Sequence, residues 1–147
     1  MKVMAIASVG GHWVELLRLL PAFEGMEIVF VSTQESLSST VTGKKFYCIE
    51  DCSRWNKFKL FNTFYGILKI VSREKPDVII TTGAAPGLLG LLAGRMLSSK
   101  TIWIDSVANA EKLSLSGQIA LKFAHKIYTQ WPDLADHKIV YAGNILS

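Results

Sequence analysis

The sequence predicts an α/β protein built on a Rossmann-like, doubly wound and mostly parallel sheet, and three observations predict it. Short β-branched, apolar runs alternate with longer segments of helical periodicity along the chain. At 147 residues, half of them hydrophobic, the chain can bury a core of its own and is too apolar for disorder. Its most unusual stretches, at 8–15, 82–87 and 105–111, all fall at the ends of predicted strands, where sheets of this kind bind ligands.

Taken in order, residues 2–7 read as the first strand and 12–20 as the helix after it, ended by Pro21. Residues 27–32 form a second strand. The connection 33–45, rich in Ser, Thr and Gly, is a loop with room for a short helix. A third strand at 46–50 leads to a long helix at about 57–73. Strands at 77–81, 101–105 and 126–130 alternate with helices at 87–97 and 115–124, the latter with Ser114 as a candidate N-cap. A last short strand is expected at 138–141. No internal repeat or linker interrupts the pattern, so residues 1–147 read as a single domain.

Composition excludes several classes. Met1–Lys2 leads into only five apolar residues, which is not a secretory signal. The longest apolar run, 83–94, is too short to span a bilayer and is broken by Pro86, so a soluble or peripheral protein is expected. Cys48 and Cys52 lack the further ligands of a zinc site and the company of a disulfide framework. They read as free thiols in a reducing cytoplasm, and neither metal nor cofactor is expected.

The net charge of +4 is concentrated in one place. Between Ser53 and Lys75, six basic residues face Glu74 alone, a local net of +5. Trp55, Phe58, Phe61, Phe64 and Tyr65 are interleaved with them. Phe58, Phe61, Tyr65 and Leu68 fall at helical spacing, so the default expectation is an aromatic face packed on the sheet. The alternative is a helix lying on an anionic membrane, with Trp55, Lys57, Lys59 and Phe61 facing it. Without a DNA- or RNA-binding motif, nucleic acid ranks below the membrane.

In "SVGGHWVE" (8–15), Gly10 and Gly11 allow close backbone approach, and the helix that follows offers free N–H groups to a diphosphate. His12 stands at the helix start, with Glu15 near enough along the helix to orient or polarise it. A plain strand-to-helix turn accounts for these residues equally well. "TTGAAPGLLG" repeats the layout, with Gly83, Ala84 and Ala85 leaving room for a ligand or for close helix–sheet packing. In "IWIDSVANAEKLSLSG", Asp105 ends an apolar strand and is the strongest functional candidate; Asn109 and Glu111 follow it, and Ser114 and Ser116 read as caps of the next helix. The absence of GxGxxG and of a ribose-binding acid disfavours a nucleotide-binding module.

"SVGGHWVE", the S-x-S-G stretch in "AEKLSLSG", Gln130-Trp131-Pro132 and the terminal "VYAGNIL" together resemble the family of asparagine-linked-glycosylation protein fourteen and its bacterial exopolysaccharide and capsule relatives. More distantly, the chain is similar to the N-terminal half of the peptidoglycan transferase that adds GlcNAc to lipid I. The resemblance implies the N-terminal half of a GT-B glycosyltransferase made as a separate chain. Such a chain binds a polyprenyl-diphosphate-linked sugar acceptor, while a second, nucleotide-sugar-binding subunit completes a UDP-sugar-dependent transferase active only in the pair. It implies peripheral attachment to the inner face of the cytoplasmic membrane. It also assigns His12, Glu15 and Asp105 to catalysis, with His12 as base, and Gly10, Gly11, Gly83, Ala84, Gly87 and Ser106 to the acceptor and its diphosphate. A non-catalytic membrane recruiter of a catalytic partner is the rival reading.

Overall fold

The computed structural model describes residues 1–52 and 56–145. In chain order it contains β1 (Lys2–Ala7), α1 (Gly11–Arg18), β2 (Glu27–Ser32), β3 (Lys45–Cys48), α2 (Lys57–Glu74), β4 (Val78–Gly83), α3 (Ala85–Met96), β5 (Lys100–Ile104), α4 (Leu115–Ala120), β6 (Lys126–Thr129) and β7 (Ile139–Tyr141). Short 3-10 turns occupy Leu20–Phe23, Glu35–Val41 and Pro132–Leu134. The strands form one sheet in the order β3-β2-β1-β4-β5-β6-β7, and every pairing is parallel. The order reverses between β1 and β4, so the crevice beyond their carboxyl ends is the expected ligand site.

Both faces of the sheet are covered, which is why its central strands read as continuous apolar runs. Along β1, Met4 and Ile6 point to one layer and Val3, Ala5 and Ala7 to the other. The first layer is closed by Ile67 and Val71 of α2, Leu91 and Ala93 of α3 and Ala120 of α4. The second is closed by Trp13 and Leu16 of α1. The Trp13 indole meets Phe30 and Phe46 edge-on at 5.7 and 6.1 Å and donates to Thr40 Oγ1 at 3.0 Å.

The elements fall where the pattern puts them, with shifts at the ends. The loop at 33–45 carries the 3-10 turn. Helix α3 begins earlier than expected, at Ala85, because Pro86 fits the first turn of a helix. Helix α4 ends at Ala120 and gives way to turns through Ala124.

One expectation is overturned. The buried stripe of α2 is Thr63, Ile67, Val71 and Glu74, whereas Phe58, Phe61 and Tyr65 are 85, 73 and 64% exposed. Tyr65 and Ile67 lie two residues apart, about 200° around a helix, so burying one stripe turns the other outward. Leu68 packs at the margin of the core. Lys57 and Lys59 lie exposed beside Phe58 and Phe61, while Trp55 lies outside the described residues. No described helix is long and apolar enough to cross a membrane.

At the opposite end of the sheet, Glu74 is buried and accepts from Lys2 Nζ at 3.2 Å, Lys45 Nζ at 3.1 Å and the Tyr47 hydroxyl. The Tyr47 bond and the two lysines hold its carboxyl below the usual carboxylate range. This cluster is structural and far in the fold from the crevice.

Candidate active site

Two loops meet at the crevice. Gly10 enters α1 with φ +95°, a conformation that favours glycine, and no side chain caps the helix. A side chain at Gly10 or Gly11 would meet nothing within 4 Å, so the backbone there lies open. Helix α3 likewise follows its N-cap, Ala84, without a side-chain cap. The first-turn N–H groups of α1 and α3 therefore have no intrahelical acceptor and lie at one edge of the sheet. A cleft of about 580 Å³ is lined by Ser8, Val9, Asp51, Cys52, Ala84–Pro86 and Ser114–Ser116. Burial pushes the Cys52 thiol up, so it faces the cleft as a neutral group.

His12 stands in the first turn of α1 and is locked to the second loop. Its Nδ1 lies 2.8 Å from the carbonyl oxygen of Thr82, while the Thr82 hydroxyl donates to the carbonyl of His12 at 2.6 Å. A carbonyl only accepts, so Nδ1 carries the proton and the Nε2 of the neutral ring keeps its lone pair. Gly83 adopts φ +119°, and a Cβ there would fall 2.7 Å from the imidazole. That glycine is the floor on which the ring rests. His12, Thr82, Gly83 and Ala84 then share a pocket of about 50 Å³ with Asp105, Ser106, Asn109, Ser114 and Ser116.

The two carboxylates that the resemblance assigns to catalysis are both hydrogen-bonded within the protein. Glu15 is buried, and its Oε1 accepts from the Val107 N–H at 2.8 Å, the Ser106 hydroxyl at 3.2 Å and Gln130 Nε2 at 3.4 Å. It fastens α1 to the loop after β5 rather than orienting His12, and its Oε2 is buried without a partner among the described residues. Asp105 is also buried: Oδ1 accepts from Trp103 Nε1 at 2.9 Å and the Ser114 hydroxyl at 2.6 Å, and Oδ2 accepts from the Ser114 N–H at 2.9 Å. It closes the 105–114 loop on itself. Ser114 in turn caps α4 by accepting from Gly117 N at 2.9 Å, and a Cβ at Gly117 would come within 2.6 Å of Asp105 Oδ1. This clip gives the S-x-S-G pattern a physical reason.

A Cβ at Gly87 would overlap Thr81 Oγ1 at 2.0 Å, so glycine at this position lets α3 seat closely on β4. Ser106 uses its hydroxyl on Glu15 and on the Ala108 N–H, at 3.2 Å each. The hydroxyl of Ser116, expected as a cap, has no hydrogen-bond partner among the described residues, nor does the side chain of Asn109.

Sequence reasoning gave Gln130 no role. It is buried at the end of β6, donates to the carbonyl of Asp105 at 3.0 Å and accepts from the Ile145 N–H at 3.1 Å. Next to it, Trp131 Nε1 donates to the Val107 carbonyl at 2.7 Å. The Gln-Trp-Pro motif is thus a brace between the loop after β5 and the C-terminal segment. Only its position at a strand end hinted at this. Among the described residues, no three His, Cys, Asp or Glu side chains are grouped as metal ligands.

The fold and the crevice together define a Rossmann-like α/β domain with an open edge at the switch point of its parallel sheet. MurG of Acinetobacter baumannii superimposes with a TM-score of 0.78 at 16% identity, over 96% of this chain and 45% of that one. A UDP-N-acetylglucosamine 2-epimerase of Rickettsia bellii does so with 0.76 at 13% identity, over 99% and 45%. The chain spans less than half of these structures, and the likeness is one of fold.

Within that class, residues 49–145 match the family described as oligosaccharide biosynthesis protein Alg14 like, and the chain belongs to it. It is 29% identical to the UDP-N-acetylglucosamine transferase subunit ALG14 of Yarrowia lipolytica, over 92% of this chain and 76% of that protein. The Schizosaccharomyces pombe subunit alg14 is 42% identical, over 86% and 73%.

Proposed function

We propose that this chain is the acceptor-binding subunit of a two-component glycosyltransferase of bacterial exopolysaccharide or capsule synthesis. It works with a nucleotide-sugar-binding subunit at the inner face of the cytoplasmic membrane. The acceptor is a sugar on a polyprenyl diphosphate. Its diphosphate lies against the uncapped starts of α1 and α3, at Gly10–Gly11 and Ala84–Ala85, where peptide dipoles favour anions. Its lipid lies toward the exposed Phe58–Tyr65 face of α2 and its lysines.

The observation that carries the reading is His12, whose Nδ1 is pinned by Thr82 and whose Nε2 is left to accept a proton beside the cleft. In the reaction, the acceptor hydroxyl oxygen attacks the anomeric carbon of the UDP-sugar. The hydroxyl proton passes to Nε2, the bond from that carbon to the diphosphate breaks, and UDP leaves with the bonding pair.

One observation favours the rival, a non-catalytic recruiter: Glu15 and Asp105 are both tied up in holding the loop after β5. His12→Ala in the assembled enzyme separates the two. Loss of a general base costs about 10²- to 10⁴-fold in kcat, with partner binding intact. Unchanged turnover in an intact complex would establish the recruiter instead.

A further inference from the structure

The site holds two polar side chains that do nothing for the fold. Of the groups around the 50 Å³ pocket, Thr82 is bonded to His12, Ser106 to Glu15, and Asp105 and Ser114 to each other. Asn109 and Ser116 are half-buried in its wall, and their side chains have no partner among the described residues. Partly buried polar groups left unpaired by a protein are matched by water or by a ligand.

Volume limits what that ligand part is. A pocket of about 50 Å³ is on the scale of a few water-sized groups, which suits a sugar hydroxyl or hydroxymethyl. Ala84, Ser114 and Ser116 also line the 580 Å³ cleft, so the small pocket is a recess of the large one. A ring in the cleft is therefore placed to extend a hydroxyl into the recess, where His12 stands.

We propose that Asn109 and Ser116 bind the acceptor sugar itself, gripping the hydroxyl presented to His12 and selecting it from the others on the ring. The inference rests on the acceptor-binding reading. A sugar hydroxyl both donates and accepts: its proton goes to His12 Nε2, and its oxygen accepts from the Asn109 amide or the Ser116 hydroxyl. The diphosphate makes no use of either side chain, since its donors are the backbone groups at the starts of α1 and α3.

The test separates sugar from diphosphate. Binding of water-soluble, short-chain prenyl diphosphates carrying glucose, galactose or N-acetylglucosamine is measured by calorimetry on the full chain, beside the same prenyl diphosphate without a sugar. Asn109→Ala and Ser116→Ala are each expected to weaken the best sugar-bearing probe about three- to tenfold, the worth of one neutral hydrogen bond. Affinity for the sugar-free probe and the melting midpoint stay at the wild-type value, and Ser116→Thr retains sugar binding. Equal losses on both probes, or no loss on either, overturn the inference while leaving the acceptor-binding reading in place. A wild-type chain that binds no probe, or does not distinguish sugar-bearing from sugar-free probes, overturns both.

Discussion

Replacing Asp105 by alanine tests whether this carboxylate serves the chemistry or the fold. Three donors converge on it, from the Trp103 indole at 2.9 Å, the Ser114 N–H at 2.9 Å and the Ser114 hydroxyl at 2.6 Å, and all three sit where water does not reach the aspartate. A hydrogen bond to a charged group contributes about 1.5–3 kcal/mol, and a buried donor left unpaired costs about 1–3 kcal/mol. The Ser114 hydroxyl keeps its acceptor role toward Gly117 and rotates to find a new partner, so the three terms do not add in full. A net loss of about 3–5 kcal/mol follows. At about 2–4 °C per kcal/mol for a chain of this size, the melting midpoint falls by roughly 10 °C. Asp105→Asn is expected to fall less, since the amide keeps one acceptor oxygen, and still to fall, since its NH2 meets the Ser114 N–H donor to donor. Thermal unfolding followed by circular dichroism reads both. A variant Asp105→Ala that melts like the wild type refutes the clip, and abolished turnover in such a variant would return Asp105 to the chemistry.

Acidification tests the cluster at the other end of the sheet. The folded-state carboxyl of Glu74 is held below its ordinary 4.5, so its stabilising contribution is fully present above that value and is lost as pH falls through the folded value. Wild type should lose stability below about pH 4.5 more steeply than Glu74→Gln, and parallel profiles of melting midpoint against pH would contradict this. On α2, combined Phe58→Ser, Phe61→Ser and Tyr65→Ser should leave melting unchanged, because these rings are exposed. The same change should weaken binding to phosphatidylglycerol vesicles at least about tenfold in a co-sedimentation assay. Undiminished vesicle binding would remove α2 as the membrane face.

The fold was legible because a parallel sheet covered on both sides writes its strands as apolar runs, and β1 and β2 are read from sequence to the residue. The facing of α2 was not. Two stripes compete on that helix, and the aromatic one is the more hydrophobic to the eye; the buried one contains Thr63 and Glu74, whose burial makes sense only through Lys2, Lys45 and Tyr47 on two distant strands. The site divides the same way. That 8–15 and 82–87 meet followed from their places at adjacent strand ends, and the structure joins them through His12 and Thr82. What Glu15 and Asp105 do there was hidden. The partners of Glu15 lie 91 or more positions away, and Asp105 is bound by a serine nine residues on, across a loop whose path the sequence does not specify.

On the acceptor-binding proposal, with both carboxylates hydrogen-bonded to the loop after β5, His12 is the group left to serve as base on this edge, and that bears on why the proposed enzyme needs a second subunit. A transfer from a UDP-sugar develops negative charge on the departing diphosphate, and transferases stabilise it with preorganised donors or cations. Among the described residues, neither the cleft nor its recess is lined by a lysine or arginine. The uncapped helix starts that favour an anion here are the ones assigned to the acceptor's own diphosphate. On this reading the chain supplies the nucleophile's site and its base, and stabilisation of the leaving group falls to the partner. The purified chain should then bind acceptor analogues and release no UDP from a UDP-sugar. Turnover by the chain alone, followed as UDP release, would show that the leaving-group site lies on this chain after all.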